Sequence, residues 1–499
     1  MMGLLSDDEM AKLVRASAAV EPTPIPTQVI SSDEFFPIPQ TAKQKQVAAR
    51  LNELGDEFGA RNGLSRRRFF QTAAGMATAF VAMNDVYGPI YGASRAEASS
   101  VDLAAQMAQA MSGQFVMDVH THFLRDDTRL KNFIQARETV GKAGWNPALA
   151  GKPQTLDDLK YPSWFKEVYL DSDTKVALIS GSASEDPQDW FLTNEMKFDA
   201  RAKINAASGT RRCLSHSIFT PGQPGWMERV EREIVELKPD SWKGYTVGDN
   251  TNKHLSRHPW RLDDEKLLYP FYEKISKAGQ NIVCVHKGLY PPSTEQQFPH
   301  LTPYANVDDL GRAAKDWPGI NFVVYHSAYR WTPGSNAHLG LKQFDATGRV
   351  EWTSDLSEIP EKFGVSNVYA DLGQIFAQTT VIEPRLCAAL MGMLVKGLGS
   401  DHVVWGTDAV WTGAPQWQIE ALRRLEIPED MQRKYGFKPL GAADGPIKTA
   451  IFGGNSAKMY KYDIKKAGLE TDRLSTTKAA YLKDGADPSH LPYGYVLRG

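Results

Sequence analysis

The stretch Phe115-Val116-Met117-Asp118-Val119-His120-Thr121-His122-Phe123 reads as a short apolar strand that runs into two histidines spaced i, i+2. Residues two apart on a strand face the same way, so both imidazoles can meet one metal ion. Taken alone, the pair also fits two solvated or core histidines. Three later apolar runs end in the same kind of side chain: Ile282-Val283-Cys284-Val285-His286, Phe322-Val323-Val324-Tyr325-His326 and Val403-Val404-Trp405-Gly406-Thr407-Asp408. Four strands that each end in a metal-binding residue are hard to explain as packing.

From residue 113 onward, short β-rich runs alternate with helical stretches. The runs are 115–120, 176–181, 213–220, 241–247, 281–287, 320–327, 368–373 and 402–408. Amphipathic segments such as 226–237 and 265–278 lie between them, with apolar residues every three or four positions. Eight strands with helical crossovers predict an α/β chain folded as a (β/α)8 TIM barrel, whose catalytic groups sit at the C-terminal ends of the strands. His120, His122, His286, His326 and Asp408 fall at that end of strands 1, 5, 6 and 8.

The remaining composition narrows the classes. A chain of 499 residues with 42% hydrophobic content and a net charge of -2 has ample core and no basic surplus for nucleic acid. Cys213, Cys284 and Cys387 are far apart, odd in number and in apolar context, which predicts buried free thiols. No Gly-x-Ser-x-Gly and no dinucleotide fingerprint occurs, which argues against a serine hydrolase and a nicotinamide enzyme.

Residues 1–112 read as an N-terminal extension. Ser6 before Asp7, Asp8 and Glu9 predicts a capped helix start. Pro22, Pro24, Pro26, Pro37 and Pro39 mark an extended linker. Val47, Leu51, Leu54 and Phe58 place one apolar face on a helix over 43–58. Next, Ser65-Arg66-Arg67-Arg68-Phe69-Phe70-Gln71, a weakly apolar run from Thr72 to Met83 and Ala96-Glu97-Ala98 together resemble a twin-arginine export signal with a cleavage point. This implies the twin-arginine translocation machinery as a partner, a periplasmic or exported location, and no stable membrane insertion, because the run is too short to span a bilayer. The alternative is a basic helix start that docks on the barrel, in a cytoplasmic protein. About 64 residues precede the arginines, whereas such signals usually begin a chain.

His120-x-His122, His286, His326 and Gly406-Thr407-Asp408, in this order, resemble the amidohydrolase superfamily and its amidohydrolase-2 group, which includes aminocarboxymuconate-semialdehyde decarboxylase and related hydrolases. Ile451-Phe452-Gly453-Gly454-Asn455-Ser456-Ala457-Lys458-Met459-Tyr460 is similar to that group's terminal helix entry, with Asn455 as its cap. The similarity covers about 113–465, leaving 466–499 as a C-terminal tail. It implies His120, His122, His286 and Asp408 as ligands of one divalent metal, Zn²⁺ with Mn²⁺ as the alternative, and His326 as an acid/base or polarising group beside it. Three imidazoles and a carboxylate suit Zn²⁺ and leave one open position. Some relatives hold two metals on a strand-4 lysine. Lys243 falls near the start of its strand, which predicts a structural lysine and one metal.

Lys287, Tyr329, Arg330 and Trp411 follow the site residues and are candidates for holding a carboxylated or aromatic small molecule, against the alternative of solvated charges and packing rings. The expected reaction is hydrolysis of an amide, lactone or similar bond by a metal-bound hydroxide, with Asp408 moving the proton. Nonoxidative decarboxylation of an aromatic or unsaturated acid is the competing reading, and a non-catalytic binding barrel is a third; under any of them the chain could form a homo-oligomer.

Overall fold

The computed structural model describes residues 4–13, 23–28, 39–128, 130–143, 150, 151, 153–331 and 337–486. Pro22 and Pro37 of the linker lie outside them. Eight parallel strands run in the order β1 to β8: β1 Met117–Thr121, β2 Val176–Ile179, β3 Cys213–Ile218, β4 Ser241–Tyr245, β5 Ile282–His286, β6 Asn321–Tyr325, β7 Val368–Asp371 and β8 Val403–Val404. Each of the eight sequence runs contains a strand, that of 402–408 only at Val403–Val404. The first and last strands meet, because Val119 N–H donates to Trp405 O at 3.0 Å and Asp408 N–H to His120 O at 2.8 Å. The chain is therefore a (β/α)8 barrel.

Each crossover carries at least one helix, among them Asn194–Ser208, Trp226–Glu236, Tyr269–Lys277 and Pro384–Gly397. Strands covered on both faces have to be apolar on both, which is why they read as continuous hydrophobic runs. Val176, Leu178, Leu214, Cys284, Val323, Tyr325 and Val404 fill the interior, while their neighbours in sequence meet the helices. All three cysteines are buried and free.

The N-terminal region adds helices at Ala42–Arg61, Arg66–Phe70, Ala73–Tyr87, Arg95–Ala98 and Val101–Met111. Ser6 and Glu9 form the expected reciprocal cap. None of the described helices is long and apolar enough to cross a membrane. Residues 466–486 pack on the barrel through a buried ion pair of Arg212 Nε with Asp472 Oδ2 at 2.7 Å. Asn455 is not a cap. It sits inside continuous helical backbone, and its Nδ2 donates to Ser400 O and Val403 O, tying the terminal helix to β8.

One buried cation has a pH consequence. Lys197, on the helix between β2 and β3, is fully buried, finds no hydrogen-bond acceptor among the described residues, and is pushed by burial from 10.5 down to about 7. Between those values the unfolded chain binds more protons than the native one, so stability rises with pH across the window. Lys197→Met should flatten that rise in urea unfolding at pH 7 and pH 9.5. An unchanged slope would remove Lys197 as its source.

Candidate metal centre

β1 delivers His120 and His122 to the C-terminal mouth, and the turn after β8 delivers Asp408. The Nε2 atoms of His120 and His122 lie 3.1 Å apart, and Asp408 Oδ1 lies 3.1 Å from the first and 3.3 Å from the second. All three side chains are buried. Ligand atoms bonded at about 2.05 Å to a tetrahedral ion sit about 3.3 Å from one another. The three atoms therefore have the chemistry and the mutual spacing of a divalent metal's ligands.

The surroundings fix these side chains. His120 Nδ1–H donates to Asp371 Oδ2 at 2.8 Å, so that Nε2 is the nitrogen that faces the common point and would offer its lone pair to an ion once deprotonated. Asp118 accepts from His120 N–H and Thr407 N–H, both at 3.1 Å, and from the Thr407 hydroxyl at 2.5 Å, clamping β1 to the β8 turn that carries Asp408. Any Cβ on Gly373 would collide with His120 Nδ1, so only glycine lets the β7 turn come this close. Asp408 and His326 hold φ of 59° and 61°, in the left-handed region. Such backbone costs on the order of 1–3 kcal/mol per residue and persists where surrounding contacts hold it.

Burial works against a charge on His120, but Asp408 and Asp371 outweigh it and hold this imidazole up to about 9. Burial pushes His122 down to about 4, against its bond to Asp408. Burial also opposes ionisation of Asp408, yet the two imidazoles keep it well below the usual carboxylate range.

His326 stands beside this group. Its Nδ1–H donates to Gly373 O at 3.0 Å, and its ring lies 5.1 Å from that of His120. Among the described residues two sets of ligand atoms converge within 4.8 Å: His120, His122 and Asp408, and His120, His326 and Asp371. His286 belongs to neither. It is buried, stacks on Tyr245 with ring centres 5.1 Å apart and lies 4.6 Å from the His326 ring.

The other candidates separate. Trp411 lies 5.8 Å from the His122 ring and 5.2 Å from Phe191, with Phe133 packed on both aromatic rings, so an aromatic wall flanks the centre. Lys287 is turned into a fully buried ion pair with Asp309 at 2.9 Å, supported by Tyr304 O. Arg330 pairs with Glu295 and Glu351 and lies over Trp331 and Trp352. Tyr329 is buried. Lys243 is the middle residue of β4, and its Nζ sits 3.2 Å from the centre of the Tyr325 ring, the same ring that supports His120. His216, inside β3, is hydrogen-bonded to Tyr325 and Ser241.

Asp371, Asp118 and Phe191 were not singled out from the sequence. Asp371 had a signal, since Val368-Tyr369-Ala370-Asp371 is another apolar strand that ends in a ligand-type residue. Asp371→Asn should weaken metal binding by about 10- to 100-fold, because a charged partner of a ligand histidine is lost. Competition with a chelator measures this, and unchanged affinity would remove Asp371 from the centre.

Residues 224–462 match the family model described as amidohydrolase. The solved structures similar to the chain include an uncharacterised TIM-barrel protein of Bordetella bronchiseptica, 13% identical over 70% of this chain and 98% of the other, at a TM-score of 0.43. A second, from Pseudomonas putida, is assigned as a 2-pyrone-4,6-dicarboxylic acid hydrolase. It is 11% identical over 70% and 99%, at 0.38. A third is a manganese-bound variant of 5-carboxyvanillate decarboxylase from Novosphingobium aromaticivorans, 14% identical over 70% and 98%, at 0.40. No curated protein matches the chain.

Proposed function

We propose that the chain, whose residues 224–462 match the amidohydrolase model, is a metal-dependent hydrolase of that family, which opens a C–N or C–O bond at the carbonyl of a small, flat substrate such as an amide or lactone. The convergence of His120 Nε2, His122 Nε2 and Asp408 Oδ1 carries this reading. These three side chains would hold the divalent ion, and His286 is proposed as the fourth ligand. The donor set suits Zn²⁺, with Mn²⁺ as the alternative. When bound, such an ion polarises the carbonyl and makes water a nucleophile at neutral pH.

The protein's own groups do the rest. Asp408 Oδ2 has no hydrogen-bond partner among the described residues, so this oxygen takes the proton of the attacking water and hands it to the leaving group. His326, with its proton fixed on Nδ1, presents Nε2 to the substrate and orients it. Trp411 and Phe191 exclude water on the His122 side and offer aromatic faces to a planar body. That wall also favours a second reading, nonoxidative decarboxylation of an aromatic acid, in which His326 manages the proton at carbon.

Metal analysis, followed by a screen of amides, lactones and aromatic acids scored separately for hydrolysis and CO₂ release, separates the two. CO₂ release without hydrolysis would replace the first reading by the second. Where the enzyme works is likewise a proposal: export by the twin-arginine route, against a cytoplasmic protein in which the same segment only docks on the barrel. It is read from the location of the protein carrying Arg66→Lys and Arg67→Lys, and unchanged export would end it.

A further inference from the structure

We propose that residues 42–111, including the arginine pair and the apolar run behind it, stay in the working enzyme as a packing layer of the barrel and are not removed at Ala98. The apolar run forms the helix Ala73–Tyr87, and all seven residues from Ala77 to Met83 are buried. A helix resting on a surface buries one stripe, so burial of seven consecutive residues means the helix is enclosed on every side. The Ala42–Arg61 helix covers it from outside with Leu51, Leu54 and Phe58, which share one core with the barrel's outer face. On the inner side the Phe80 ring meets Tyr91 at 5.0 Å, and the hydroxyls of Tyr87 and Tyr91 donate to Ile382 O and Thr380 O.

The arginine motif is part of the same layer. Ser65 caps its helix, Arg66 Nη1 bonds Asp56 at 2.8 Å, and Phe69 and Phe70 are buried. Any Cβ on Gly75 would strike the backbone of these two phenylalanines. At the cleavage point, Ala98 is fully buried and its N–H is held by Ser94 O at 3.0 Å. The carboxylate of Glu97 takes two bonds from Arg424, at 2.7 and 3.0 Å, and Asn62 Nδ2 donates to Ser99 O at 3.0 Å. Backbone bonds from Gly92 N–H to Arg424 O and from Glu426 N–H to Ile90 O join the layer to the barrel. A protease needs several residues extended and accessible, and here the bond closes a helical turn in which Ser94 to Ala96 are exposed but Glu97 and Ala98 are buried.

The test uses the full chain. Its intact mass, after purification from whichever compartment holds it, should include residues 42–98. A folded, metal-binding protein that begins at Ser99 would overturn the proposal. A milder variant covers the packing itself: Glu97→Gln takes from Arg424 one of its two carboxylate partners, the other being Glu420, and should lower Tm by several degrees and speed proteolysis between residues 88 and 100 by at least about tenfold. Cleavage between residues 88 and 100 in the unaltered protein at the rate of an unfolded segment would overturn the proposal as well.

Discussion

His120→Ala and Asp408→Ala should each leave the purified protein with far less than the one equivalent of metal expected of the unaltered chain, and with activity near background. Each variant deletes one of three ligand atoms that stand 3.1 to 3.3 Å apart. Two of the converging atoms and the proposed His286 would remain, and an incomplete set holds an ion poorly. Even losing a partner outside the ligand set costs about 10- to 100-fold in affinity or activity, so the loss of a ligand should exceed that range. Asp408→Ala should be the more damaging for rate, because the same carboxylate is proposed to carry the proton. Elemental analysis and kcat on the same preparations check both statements. Full metal occupancy in the His120→Ala protein would sink the assignment, and two equivalents in the unaltered protein would return Lys243 to the ligand set.

How far the sequence could be read follows from the range of the interactions involved. The barrel was legible because parallel strands are buried on both faces and so stand out as apolar runs. The β1 pair and Asp408 were legible because strand ends are local features. Lys287 was not, since the lysine after His286 looks the same whether it faces the mouth or, as here, pairs with Asp309 in a loop 22 residues onward. The stretch from Ser65 to Met83 marks a second limit. Arginines, two phenylalanines and an alanine-rich run have one composition whether they lead a chain through a membrane or fill the gap between two helical layers. Only the partners, Leu51 and Phe58 on one side and the chain around Thr380 on the other, distinguish the packed state, and they are remote in sequence. Asn455 follows the same logic: its side chain completes a contact with β8 that no local pattern announces.

His326→Asn should keep most of the metal and lose rate on the order of 10²-fold or more, as expected for an acid/base or polarising group. The His326 Nδ1 bond to Gly373 O at 3.0 Å fixes the ring, and asparagine can preserve a donor there while removing the Nε2 proton carrier. His286→Asn should behave differently. If His286 completes the ligand set, its loss lowers metal content and rate together. The geometry makes this comparison sharp, because the two rings lie 4.6 Å apart, and it is His326 whose ligand atom converges with those of His120 and Asp371. Metal content and kcat measured on the same two proteins decide the roles. Should His326→Asn arrive metal-free while His286→Asn stays loaded, the two residues exchange places. The fourth ligand would then come from β6, and the acid/base group would have to be sought on β5.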